Sequence, residues 1–560
     1  MRLSVLMCAI ALLAACSADS PSLRVRPSAP IAVAAVALAH GETPAAWYTS
    51  GAARAAANGA MQGRARNVIV FIGDGMSLTT VTAARILDGQ RRGQAGEENR
   101  LAWEDFPATA LSKTYNTDQQ TPDSAGTMSA IVSGVKTRAG VLSVSASSNR
   151  GDCAGSLQQP VLTWLELADS AGLSTGVVTT TRLTHATPAA TYAHLPERNW
   201  ENDSALPADA VAAGCHDIAR QLLTPRFGTG PTVALGGGRG QFMHSAQHDP
   251  ADPLRVGLRH DGRDLIGEWQ RVHPRGRYVW NATQLAAAST APTLLGLFAF
   301  DHLHFEHDRV NDGSGDDQPS LADMTRAAIA VLSRNPAGYV LMVEGGRIDH
   351  ASHAGNAFRA LTDTIALSQA VAAAVATTNS DDTLILVTAD HAHTLSFAGY
   401  PARGNPILGT VRNNTGVAGE AGDLARDNNG LPYTTLNYGN GPGARSPVTA
   451  HGPHPAAAAA TATRPDLSAV DTEAADYLQE ALLPLAAETH GGDDVGVWAR
   501  GPGSEAVRGV IEQNVIYHLL VQATPALRQR LCAAGTCNGD GVPVQLPTPD
   551  DFMVRASAPR

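Results

Sequence analysis

Three short segments place metal-type ligands at spacings that a purely structural reading does not explain. Phe-Ile-Gly-Asp74-Gly-Met sets a carboxylate between glycines at the tip of an apolar run; alone, such an aspartate also suits a turn or a cap. Glu344-Gly-Gly-Arg-Ile-Asp349-His350-Ala-Ser-His353 is more pointed. Asp349 and His353 are four apart, so one helical turn puts a carboxylate and an imidazole on one face, a pairing suited to zinc. Glu344 offers the hard oxygen that suits magnesium. In Thr388-Ala-Asp390-His391-Ala-His393, Asp390 and His391 can reach one ion from a sharp turn, with His393 read as a neighbour. Aspartate with histidine at a sheet edge favours zinc over calcium. A candidate nucleophile, Ser124, lies in Thr121-Pro-Asp123-Ser124-Ala-Gly-Thr127. Pro and Asp suit a turn into a helix, whose N-terminus would add amide donors and a positive dipole beside Ser124. Read locally, Asp123-Ser124 is an N-cap, so the serine acquires chemistry only from what converges on it.

The elements that must position these residues are legible in outline. Asn67-Val-Ile-Val-Phe-Ile-Gly is a continuous apolar run, the mark of a strand buried on both faces. Similar runs start at Gly176, Tyr339 and Thr383, and helix-like stretches separate them at 161–171, 320–334 and 356–376. Strands alternating with helices predict an α/β fold, a three-layer sandwich with a central, mostly parallel sheet flanked by helices. The runs deliver Asp74, the His185 region, Glu344 and Asp390 at their C-terminal ends, the edge where open α/β sheets bind ligands. Residues 403–488, rich in Gly, Pro and Asn, predict a crown-like insertion that leaves the sheet. The catalytic core is expected over 64–402 and again over 489–537, where Asp493-Asp-Val-Gly-Val-Trp-Ala-Arg reads as a further strand, with a C-terminal tail over 538–560.

Bulk properties narrow the function. The formal net charge of −11 lacks the basic footprint of a nucleic-acid binder. It would also repel an anionic substrate, so phosphate chemistry would require concentrated local positive charge such as metal or arginine. Residues 1–16 read as an export signal: Arg2, an apolar run too short to span a bilayer, then Leu13-Ala-Ala-Cys16, which resembles a bacterial lipobox and would lipidate Cys16. An ordinary secretory signal cut elsewhere stays open, and both readings export the chain to a bacterial cell envelope. Residues 17–63, rich in Ala, Pro and Ser, read as a tether and N-terminal arm. With Cys8 removed and Cys16 lipidated, four cysteines remain for two disulfides. The count does not determine pairing, but Cys532 and Cys537 are near enough to close one small loop, which would leave Cys153 with Cys215.

Together, Ile-Gly-Asp74-Gly-Met, Pro-Asp-Ser124-Ala-Gly-Thr, Thr-His185-Ala-Thr187-Pro, Val-Glu344-Gly-Gly-Arg-Ile-Asp349-His-Ala-Ser-His353, Thr-Ala-Asp390-His391 and Glu-Thr-His490-Gly-Gly resemble the alkaline phosphatase family, in that family's order. His-Ala-Thr-Pro and Glu-Thr-His-Gly-Gly are closer to the animal enzymes than to the enteric bacterial one. The resemblance implies a phosphate monoesterase working through a phosphoserine on Ser124 with two zinc ions and one magnesium ion. It implies one zinc on Asp349, His353 and His490, and a second on Asp74, Asp390 and His391 with Ser124. Magnesium would take Asp74, Thr187 and Glu344, with His185 nearby. Arg198 would clamp the phosphate, oriented by Asp123, with His350 also on the substrate side, and the chain would form a homodimer. The animal members' calcium site has carboxylates where this chain carries Ala299 and Gln318, so no such site is expected, although the acidic 311–317 loop could bind calcium differently.

Overall fold

A computed structural model of the chain describes residues 42–311, 317–417, 420–444 and 464–553. The signal and tether readings, with Cys16, and the tip of the acidic loop lie outside them.

The strands run in chain order β1 (Asn67–Gly73), β2 (Ala108–Lys113), β3 (Ser174–Arg182), β4 (Val233–Gly237), β5 (Arg277–Val279), β6 (Leu294–Leu297), β7 (Tyr339–Gly345) and β8 (Thr383–Ala389). They continue with β9 (Ala392–His393), β10 (Leu395–Phe397), β11 (Arg412–Asn414), β12 (Ala421–Leu424), β13 (Leu436–Gly441), β14 (Ala481–Pro484), β15 (His490–Gly491), β16 (Val495–Arg500) and β17 (Gly509–Glu512). Among the described residues the main sheet has ten strands, ordered β17-β2-β16-β8-β1-β7-β3-β4-β6-β5. Every neighbouring pair is parallel except those of β16, which runs antiparallel to β8 and β2. The mostly parallel sheet is therefore as the apolar runs predict.

Both faces of β1 are covered. Val68, Val70 and Ile72 join one apolar cluster with Met128, Ile131, Leu165, Ile516 and Leu520. Ile69 and Phe71 join a second with Ala83, Met324, Leu332, Leu361 and Leu367. Alternate residues of one strand thus feed two cores, giving three layers, and each such side chain contributes about 1.5–3 kcal/mol by leaving water. The helix Trp164–Ser170 starts later than the stretch read from sequence because Thr163 caps it: its hydroxyl accepts the Glu166 N–H at 3.2 Å and its own N–H donates to Glu166 Oε2 at 2.9 Å.

The insertion builds its own small sheets. Its β13 and β14 form one with β10, which precedes it, and its β11 pairs with β12; just outside it, β9 pairs with β15, and none of these joins the main sheet. Residues 418–419 and 445–463 of it lie outside the described residues. Within the arm, Pro44–Ala57 is a helix capped by Thr43, and its Trp47, Tyr48, Ala52 and Ala55 are buried. Disulfides join Cys153 to Cys215 and Cys532 to Cys537. Among the described residues one helix, Ala357–Thr377, is long and apolar enough to cross a membrane, and most of it is buried in the core.

Candidate metal centre

The parallel register brings the ligands together. Ile72 of β1 lies beside Glu344 of β7, Glu344 lies beside Thr179 of β3, and Gly73 lies beside Ala389 of β8. Asp74 and Asp390, each one residue beyond its strand, therefore emerge side by side, with Glu344 next to them. The helix Arg347–His353 follows β7 directly and sets Asp349 and His353 on one face, with His353 Nε2 3.4 Å from Asp349 Oδ1. His490 reaches the same place by a different route: β15 pairs with β9, so His490 stands across from His393.

Three groups of potential ligands result, each with its donor atoms within 4.8 Å of one another: Asp349, His353, His393 and His490; Asp74, Asp390 and His391; and Asp74, His185 and Glu344. Asp74 belongs to two of them. Thr187 Oγ1 is 3.4 Å from Asp74 Oδ2, beside the third group. Two imidazoles of the first group are oriented by the far nitrogen: His353 Nδ1–H donates to Glu488 O at 2.6 Å, and His490 Nδ1–H to Pro122 O at 2.7 Å, which turns both Nε2 atoms toward Asp349.

Ser124 opens the helix Ser124–Ser133, with Oγ 3.0 Å from His391 Nε2 and 3.5 Å from Asp74 Oδ1. Asp123 is the N-cap, accepting the Gly126 N–H at 3.0 Å on Oδ1. Its Oδ2 accepts the Gly140 N–H at 2.9 Å and meets Arg198 Nη1 at 3.1 Å. The cap and catalytic readings of this dipeptide are thus compatible. Arg198 Nη2 donates to His185 Nε2 at 3.1 Å. His350 is outside the three groups; its Nδ1 accepts from Arg347 Nη1 at 2.8 Å and its ring lies 5.2 Å from that of His185.

The electrostatics fit cations. Burial first, then Asp390, Asp349 and Glu344, pushes Asp74 well above the usual carboxylate range. Burial likewise raises Glu344 to about 7 and Asp390 to about 6. Clustered buried carboxylates disfavour one another's charge unless a cation joins them. Burial, with nearby cations, holds His391 and His185 well below the usual imidazole value, leaving neutral rings with a lone pair to share. Glu344 Oε1 and His185 Nδ1 are buried with no hydrogen-bond partner among the described residues, as expected of atoms facing an ion or its water. Mixed oxygen and imidazole donors suit zinc in the first two groups, and the oxygen-rich third suits magnesium. At the positions compared with the calcium site, Ala299 O accepts the Arg239 N–H at 2.9 Å and Gln318 Oε1 the His304 N–H at 2.9 Å.

Two residues here, His393 and Glu488, escaped the sequence reading. His393, taken as a neighbour, donates from Nε2 to Asp349 Oδ1 at 2.7 Å, and its Nδ1 meets Glu488. Burial opposes its charge, but bonds to both carboxylates push it up to about 10. Position 393 alternates with 391 in the chain, yet its partners come from distant segments that only the fold brings beside it.

A family model described as alkaline phosphatase matches residues 65–526. The chain is 42% identical over 469 residues to an alkaline phosphatase of Gadus morhua, covering 82% of this chain and 92% of that protein. It is 43% identical over 472 residues to the tissue-nonspecific isozyme of Gallus gallus, covering 82% and 85%. Its fold is similar to the crystal structure of Thermus thermophilus alkaline phosphatase, with a TM-score of 0.57 and 24% identity over 84% of this chain and 96% of that one. The alkaline phosphatase of the Antarctic bacterium TAB5 superposes with a TM-score of 0.55 at 20% identity, over 83% and 99%.

Proposed function

The chain belongs to the alkaline phosphatase family and is a metal-binding phosphatase of phosphate monoesters; from that premise we propose that it works through a phosphoserine on Ser124 at a site for two zinc ions and one magnesium ion. The observation that carries this reading is the position of Ser124 Oγ, 3.0 Å from His391 Nε2 and 3.5 Å from an Asp74 shared by two ligand groups.

Asp349, His353 and His490 would hold one zinc, Asp74, Asp390 and His391 with Ser124 the other, and Asp74, Thr187 and Glu344 the magnesium, with His185 beside it. When bound, these cations neutralise the phosphoryl group and stabilise the entering and leaving oxygens. Ser124 Oγ attacks phosphorus from its place at a helix N-terminus, the ester P–O bond breaks, and the alcohol leaves with a proton. Water then cleaves the Oγ–P bond, releasing phosphate and restoring the hydroxyl. Arg198, free of other carboxylates on its second nitrogen, offers a planar fork to two nonbridging oxygens while Asp123 holds it in place. His350 faces the same region as a further donor.

His391 is read as a ligand and not as a serine-protease-type base. Its Nδ1 rests on the Ala392 carbonyl at 3.3 Å, with no carboxylate behind it to stabilise an imidazolium. The test is phosphate release from an aryl phosphate before chelation, after it, and with zinc and magnesium restored. Rates should vanish and return only with the metals; release that ignores the chelator defeats the reading, and faster cleavage of aryl sulfate would move it to a sulfatase. Export, a lipid on Cys16 and a homodimer complete the proposal, supported by the Leu-Ala-Ala-Cys16 ending and the family resemblance. Acyl labelling and light scattering test them.

A further inference from the structure

Glu488 has no assigned part in the chemistry above, yet it grips two residues of one ligand group. It is 1% exposed. Its Oε2 meets His393 Nδ1, and His393 Nε2 in turn meets Asp349 Oδ1 at 2.7 Å. Its Oε1 accepts the Thr394 N–H at 2.7 Å and the Thr394 hydroxyl. Through the backbone it binds His353 twice, its carbonyl accepting from Nδ1 at 2.6 Å and its N–H donating to His353 O at 2.8 Å. Two residues later β15 begins and presents His490 across from His393.

We propose that Glu488 is a positioning residue for the ion held by Asp349, His353 and His490, acting through His393 on Asp349 and through its own carbonyl on His353. The inference rests on the two-zinc reading above. The donor inventory explains how it works. Thr394 supplies only donors to Oε1, so that oxygen must accept. Oε2 then holds the proton side of His393 Nδ1, and Nε2–H stays pointed at Asp349, leaving Asp349 free to turn its remaining lone pairs to the metal. Without a partner at Nδ1 the ring is free to turn, and the Nε2–H bond that now holds Asp349 in place loosens.

The conservative replacement separates geometry from charge. In Glu488→Gln the amide oxygen must take the Thr394 side and the NH2 group the His393 side, where it donates to Nδ1 and keeps the proton on Nε2. In Glu488→Ala both bonds vanish, and in Glu488→Asp the carboxylate is one methylene too short to reach. The experiment loads the purified full-length protein with zinc and follows its transfer to a chromophoric chelator. The parent should give up two equivalents. Glu488→Ala should hold one equivalent about 10- to 100-fold more weakly, with the other unchanged. Glu488→Asp should behave alike and serves if the alanine variant does not fold, whereas Glu488→Gln should stay within about threefold of the parent for both. Alanine and aspartate variants that match the parent, or that loosen both equivalents equally, overturn the proposal while leaving the two-zinc reading intact. A parent that holds no zinc removes that reading and this inference together.

Discussion

Asp123 and Arg198 are joined at 3.1 Å through Oδ2, while the other oxygen of the same carboxylate caps the Ser124 helix through the Gly126 N–H at 3.0 Å. One side chain thus sets the start of the serine's helix and the direction of the guanidinium fork. Burial works against its charge, but Arg198 and the two amide donors still hold its carboxyl below the usual range. Asp123→Ala should weaken inhibition by inorganic phosphate about tenfold, the loss of roughly one charge-assisted bond. The lost cap should also lower stability by about 1 kcal/mol. An inhibition constant equal to the parent's would show that Arg198 does not need this partner.

Asp74 is shared by two ligand groups. Asp74→Asn should therefore lose two ions at once, one zinc and the magnesium, while the Asp349 zinc remains. Metal analysis after gel filtration reads this directly, and activity should fall to background. Loss of a single ion would break the shared-ligand assignment.

Asp363 gives a pH prediction away from the metals. Burial pushes its carboxyl up to about 8, only partly offset by Arg347 and the Glu306 N–H. An acid whose folded pKa lies above its unfolded value of about 3.9 costs the fold stability as it ionises. Its stabilising contribution is therefore complete below about pH 4, is lost as pH rises to about 8, and then stays level. Asp363→Asn, a neutral isostere, should raise Tm by about 2 °C or more at pH 9 and by less at pH 5. Equal shifts at both pH values would mean Asp363 is not strained by its charge.

The two disulfides should differ in worth. Cys153 and Cys215 are 62 residues apart, Cys532 and Cys537 only 5. By loop-closure entropy the first contributes about 4 kcal/mol and the second about 2 kcal/mol. Cys153→Ala with Cys215→Ala should lower the denaturation midpoint more than the matching pair at 532 and 537, in chemical unfolding of the otherwise oxidised protein.

What the sequence discloses depends on burial. β1, β3, β7 and β8 lie inside the sheet, so both faces are buried and their runs stand out, and Asp74, Glu344 and Asp390 stand out as breaks at or just beyond their ends. β2 alternates between buried and open positions, and β4, β5, β6 and β17 are short, so none carries a comparable signal. The arm's alanine-rich composition hid a helix whose Trp47 and Tyr48 are buried. His393 and Glu488 needed the contact of the segment around β9 with the one that leads into β15, which no local spacing reveals.

The central claim is that Ser124 is the nucleophile, and the most direct measurement is the intact mass of acid-quenched protein during turnover of an aryl phosphate. The account predicts one added phosphoryl group, mapped to Ser124, dependent on metal and absent in Ser124→Ala. A phosphoryl group on another residue, or Ser124→Ala protein that turns over at the parent's rate, would contradict it.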